Sequence, residues 1–104
     1  MERKYLGEFE EIVLLVVSAL NDNAYGVTIT RELAEQTGRE VRLNQVHMAL
    51  QRLEDKGMVR SKMGGATAER GGRRKRMFTT TALGRRVLAD IQEVRQRLWN
   101  LGRA

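Results

Sequence analysis

Five positive charges fall within seven residues at Arg70–Arg76 (RGGRRKR), between two short strand-like runs and just after an amphipathic helical stretch. Repulsion among cations so close together is unfavourable unless counter-charges arrive from outside the segment. Gly71 and Gly72 leave its backbone free to follow a partner's contour rather than pack into a core. The rest of the 104-residue chain, long enough for one domain with a single modest core, must therefore support an exposed basic hairpin.

The overall charge is just as uneven. Residues 1–50 carry 5 basic and 8 acidic side chains, and residues 51–104 carry 14 and 5, giving a net +6. Such polarity implies a polyanion met by one part of the molecule, with nucleic acid ahead of an anionic membrane surface. There is no cysteine, so disulfides and thiolate metal sites are excluded. The run Ile12–Val17 is far too short to span a bilayer, and no apolar stretch follows the basic residues of MERKYLGEFEE. The expectation is a cytoplasmic protein with no membrane partner.

Periodicity predicts a first helix from about Glu8 to Leu20. Leu6, Phe9, Val13, Val16 and Leu20 follow alternating spacings of 3 and 4, while Ile12, Leu15 and Ala19 form a second stripe. A helix apolar on two sides has two things to pack against: its own core and, by this reading, a second subunit. Asn21-Asp22-Asn23 makes a polar turn. A second helix then runs from Tyr25 or Gly26 to Thr37, with Ile29, Leu33 and Ala34 inward and Gly38 as its stop. Asn44 is read as the N-cap of a third helix ending before Gly57. Met58–Met63 and Arg74–Thr79 read as strands, and Thr81 as the cap of a last helix reaching about Leu101. In that helix Val87, Ile91, Val94, Leu98 and Leu101 form a short heptad seam, with Leu83 and Leu88 off the line to tie it to its own domain. The seam and the first helix together make the candidate dimer interface.

With Val46, Leu50 and Leu53 turned inward, the outer face of the third helix carries Asn44, His47, Met48, Gln51 and Asp55, flanked by Gln45 and Arg52. These are side chains able to read base edges: Gln pairs with adenine, Arg with guanine, and Met touches a thymine methyl. An ordinary solvated helix face has the same pattern, and the basic hairpin that follows tips the balance toward double-stranded DNA. Arg70, Arg73, Arg74, Lys75 and Arg76 then serve to position the protein on phosphates or in a minor groove. RNA would satisfy the charges, but an aromatic stacking platform is missing.

His47 is the single histidine and has no cysteine or carboxylate pair with which to form a metal site or a triad. The paired glycines lack the following helix that a phosphate loop needs. No enzyme, metal or cofactor is expected. Trp99 lies beside the heptad seam and has two open readings: packing at a dimer contact, or one wall of a cavity for a flat apolar effector, with Tyr5 and Phe9 as further wall.

The order of motifs resembles the PadR family of bacterial transcriptional regulators. The stretches that carry the resemblance are LGEFEEIVLLVVSAL, AYGVTITREL, VHMALQRLEDKGMVRS and GGRRKRMFTTTALGRRVL, spanning about residues 6–89. It implies a mainly α fold with a small β-hairpin: a winged helix-turn-helix with a three-helix core, a two-stranded wing and a C-terminal dimerisation helix. Residues 1–80 would form the DNA-binding domain and 81–104 the dimerisation helix, as in the short subgroup. It further implies a homodimer that usually represses, often transport or stress genes, and is sometimes released by a small molecule. Tyr25 and Gly26 match the family's pattern at the start of the second helix, where backbone N–H groups and Thr28 would meet a phosphate. His47, Met48 and Thr80 depart from its usual tyrosine, proline and leucine; the first two leave the fold intact but leave the operator sequence and fine contacts open. A winged-helix adaptor that binds proteins instead of an operator is the alternative.

Overall fold

The structure is a computed structural model that describes residues 6–64 and 75–103. Tyr5, Arg70, Arg73 and Arg74 lie outside the described residues.

Three acids, Glu8, Glu10 and Glu11, open helix α1 (Glu8–Leu20), where they complement the positive end of the helix dipole. Its fully buried positions are Val13, Leu14 and Val17. After a 3-10 turn at Asn21–Asn23 comes α2 (Gly26–Thr37), which contributes Ile29 and Leu33 to the core. Gly38 ends α2 in the left-handed region at φ 69°, a backbone state that favours glycine. Helix α3 (Leu43–Asp55) adds Val46, Ala49, Leu50 and Leu53, all buried at helical spacing.

Strands β1 (Val59–Met63) and β2 (Arg76–Thr80) pair antiparallel, from Val59 opposite Thr80 to Met63 opposite Arg76. Their buried face, with Val59, Phe78 and Thr80, closes the core against α1 and α3. The sheet also reaches the turn before α2. Tyr25 bridges Met77, and the Phe78 N–H donates to the Ala24 carbonyl at 2.8 Å. The wing and the start of α2 therefore share one hydrogen-bonded edge.

Helix α4 (Ala82–Leu101) begins at a crowded joint. The Thr81 hydroxyl accepts from Gly84 N–H at 3.1 Å and donates to the Gly57 carbonyl at 2.7 Å. A Cβ on Gly84 would collide with the Met58 carbonyl oxygen, so only glycine fits at this closeness. Leu83, Val87 and Leu88 pack against the core. Beyond Ile91 every residue of the helix is exposed, and the molecule extends 59 × 33 × 20 Å along its principal axes.

Three expectations are corrected. Val13 is 0 % exposed within the single chain, so it belongs to the core and has no surface for a partner. The core stripe of α1 runs through Leu14 and Val17, while Leu15 is the exposed apolar residue, at 45 %. Asn44 does not cap α3. The cap is Arg42, two residues earlier, and the helix starts at Leu43, because the Gln45 side chain accepts from the Arg42 N–H at 3.1 Å and closes the first turn there. The strands begin one and two residues later than read, and β2 includes Thr80 because its pairing with Val59 is favoured by burial.

Candidate nucleic-acid interface

The outer face of α3 assembles as the helical period requires. Asn44, Gln45, His47, Met48, Gln51, Arg52 and Asp55 are all exposed, opposite the buried Val46–Leu53 stripe. His47 packs over the start of α2, where a Cβ on Gly26 would stand 2.8 Å from its Cε1 atom and 3.3 Å from Leu43 Cδ1. The glycine thus lets the two helices meet closely, with His47 at the crossing. Gln51 Nε2 donates to Asp55 Oδ1 over a long 3.4 Å, a bond that a base edge can outcompete. Gln45 is tied to the Arg42 N–H and serves the helix end first. Exposed Leu43 and Met48 give α3 an apolar component that sequence reasoning had found only at Met48, and Val27 is exposed in the first turn of α2.

Arg52 is placed differently from a base reader. Its Nε donates to Glu10 Oε2 at 3.0 Å, and Lys56 Nζ donates to Glu10 Oε1 at 2.7 Å, tying α3 to α1. Burial pushes the Glu10 carboxyl up. The hydrogen bonds and charges of Lys56 and Arg52 outweigh this and hold it below its ordinary value of 4.5. Thr28 is likewise committed. Its hydroxyl accepts from the Tyr25 N–H at 2.9 Å and has acceptors at the Asn23 and Tyr25 carbonyls, 2.5 and 3.0 Å away. It shapes the turn that aims the α2 terminus rather than offering a free donor.

At the root of the wing, Arg76 Nη1 donates to the Ser61 hydroxyl at 2.8 Å, and Ser61 donates to Glu54 Oε2 at 2.7 Å. This chain turns Arg76 toward α3. Lys75 Nζ lies 5.9 Å from the centroid of the Tyr25 ring, a cation–π contact that joins the wing root to the α2 terminus. Tyr25, Lys75 and Arg76 are therefore brought together beside α3. Arg70, Arg73 and Arg74 continue the same basic segment outside the described residues.

The proposed interface residues divide by depth. Leu6, Phe9, Val16 and Val87 are half-buried against their own core, and Ile91 is half-buried. Val94, Leu98 and Leu101 are exposed at 39, 61 and 73 %, and Trp99 at 65 %. One bidentate pair ties this helix to the body: Arg95 Nη2 and Nε donate to Glu11 Oε1 and Oε2 at 2.7 and 3.0 Å. Composition gave no sign of these α1 carboxylates as internal partners, because the bonded residues lie up to 84 positions apart in sequence. Arg60 and Lys62 on β1 were also missed, though two cations separated by one residue in a strand share a sheet face. Among the described residues no helix is long and apolar enough to cross a membrane.

Four helices with a two-stranded wing, and a polar third-helix face beside a basic wing root, define a winged-helix regulator. The chain belongs to the PadR-like transcriptional regulator family, which it matches over residues 13–90. This is a family of transcription factors, not of enzymes. A PadR family regulator from Eggerthella lenta is 26 % identical, with a TM-score of 0.70 over 92 % of this chain and 84 % of that one. A PadR family regulator from Clostridium difficile shares the fold at 22 % identity, with a TM-score of 0.66 over 93 % and 92 % of the two chains. Bacillus subtilis PadR, solved in complex with operator DNA, shares it at 21 % identity and a TM-score of 0.67, over 81 % of this chain and 46 % of that one. Among curated proteins the chain has no significant sequence relative.

Proposed function

We propose that the protein is a homodimeric, sequence-specific DNA-binding repressor that reads a palindromic operator. Each α3 enters a major groove, with half-sites about one helical turn (~34 Å) apart. His47, Met48 and Gln51 meet base edges, while Lys75, Arg76 and the wing arginines Arg70, Arg73 and Arg74 hold phosphates. Arg52 joins them only by leaving Glu10. Residues 1–80 act as the reading head and α4 as the dimerisation helix, whose partner covers Val94, Leu98, Trp99 and Leu101. A small planar effector seated against Trp99 at that interface would release the operator.

The observation that carries this reading is the exposed outer face of α3, which has one acid at its far end and sits beside a wing root that collects Lys75 and Arg76. The operator complex of the Bacillus subtilis relative supports it by fold. Selection of preferred duplexes from a random pool by the purified protein is the test. A palindrome is the expected outcome. Failure to select any site with folded dimer would favour the adaptor reading.

A further inference from the structure

The carboxylates of α1 leave one group of cations uncompensated. Glu8 pairs with Arg39, Glu10 with Arg52 and Lys56, and Glu11 with Arg95. Arg60, Lys62 and Arg85 have no carboxylate within 4.0 Å among the described residues, yet all three line one groove between the sheet and the start of α4. The groove has a volume of about 400 Å³. Its other lining residues are Ser61, Thr79, Thr80, Thr81 and Ala82, with no acid and no large apolar group.

Strand alternation sets this groove apart from the DNA-facing surface. Ser61 lies on the sheet face that bonds Glu54 of α3, whereas Arg60 and Lys62 lie on the opposite face, with Thr79 directly across from Arg60. Arg85 is pre-oriented, because its Nη1 donates to the Thr80 carbonyl at 2.9 Å and its remaining N–H groups stay unassigned. The first turn of α4 lies at the groove's end, where Ala82 contributes to the lining and the helix dipole favours negative charge. Thr80 lies with Val59 and Phe78 on the buried face of the sheet, and it serves the groove through its carbonyl, the acceptor that orients Arg85.

The geometry points to a binding groove for a small phosphate-bearing anion on the outer face of the wing sheet, held by Arg60, Lys62 and Arg85. A guanidinium pair with an ammonium, and the Thr79 hydroxyl on the same sheet face, suits a tetrahedral oxyanion, which accepts on every oxygen. The inference does not depend on the operator reading. Its occupant sits where the wing sheet meets α4, so it is placed to sense or bias the joint between them.

Inorganic phosphate is the probe, titrated into the full-length protein at constant ionic strength against a chloride control while amide resonances are followed. Saturable shifts centred on Arg60–Lys62 and Ala82 are expected, with an apparent affinity weakened about tenfold or more in the Arg60→Ala/Lys62→Ala variant. Equal shifts with chloride, or an unaltered variant, overturn the proposal. Should the double variant fold poorly, Lys62→Gln alone carries the same comparison at an exposed position. A duplex bearing the selected operator is then added to phosphate-saturated protein. Retained phosphate shifts support a free anion as the occupant, and displacement assigns the groove to DNA backbone and overturns it.

Discussion

The Glu11 carboxylate on α1 grips the Arg95 guanidinium on α4 through two hydrogen bonds of 2.7 and 3.0 Å. Glu11 is nearly buried, at 9 % exposure, whereas the Arg95 side chain is 59 % exposed. Removing Arg95 strands a carboxylate in a poorly solvated place, while removing both charges does not. Arg95→Met should therefore lower the melting temperature by several degrees, and adding Glu11→Gln should restore part of the loss. Urea unfolding of the four proteins of this cycle checks it, and simple additivity would contradict the pairing.

Two glycines at close contacts should respond differently to alanine. At Gly84 the obstacle is the Met58 carbonyl with Thr80 Cγ2 beside it, neither of which can move aside. Gly84→Ala should cost about 1–3 kcal/mol or more by overpacking. At Gly26 the nearest atom is the end of the exposed His47 side chain, which can swing away. Gly26→Ala should leave thermal stability almost unchanged but alter which duplexes are preferred, since it displaces a residue of the reading face.

Base reading and phosphate holding should separate in binding assays. Replacing Arg73, Arg74 and Arg76 by alanine should weaken all duplexes alike and flatten the salt dependence. If three cations per subunit meet phosphates, about six contacts give a slope of log K against log salt near −5. Gln51→Ala should instead cost about 1–3 kcal/mol on the preferred site and relax discrimination there. Identical behaviour of the two variants would rule out this division of labour.

Acid should weaken the fold through Glu10. Its carboxyl titrates below its ordinary 4.5 in the folded chain, so the unfolded chain binds the proton more readily. The stabilisation is complete above that ordinary value and is lost as the pH falls through the depressed one. Glu8 contributes in the same direction, through its hydrogen bond from Arg39. Melting temperatures of the native protein should drop on acidification below about 4.5, and Glu10→Gln should make that drop shallower. Parallel curves for the two proteins would show that Glu10 is not involved.

Trp99 reports on α4. With 65 % of its surface exposed in the single chain, its emission should move to shorter wavelength as protein concentration rises and a partner covers it. Leu98→Glu should hold the emission red at all concentrations and keep the protein monomeric in sedimentation. Quenching by a planar compound, with concurrent loss of DNA affinity, would identify an effector.

Much of the fold was legible because its signals are local. The bounds of α1 and α2, the buried stripe of α3, the Thr81 cap and the exposure of His47, Met48 and Gln51 all follow from spacing within a few residues. Val13 was misassigned because α1 carries more apolar positions than one face needs. Which stripe meets the core depends on how helices cross, not on α1 itself. Arg52 was legible as an exposed flank residue but not as a partner of Glu10, since that bond joins positions 42 residues apart. Asn44 looked a better cap than Arg42 by residue type, yet the Gln45 amide closed the turn. The groove under Arg85 was invisible to a linear reading because three elements have to converge before it exists.

The hydrogen bond from Gly64 N–H to the Lys75 carbonyl, 2.7 Å long, fastens the two ends of the wing's tip together. Below that clasp, β2 is bound to Ala24 and Tyr25, so a frame change in either strand would disturb the entry to α2 as well. Mutational tolerance should therefore be low throughout the paired strands below that clasp, and descendants of this chain that acquire a different grip would have to keep this frame.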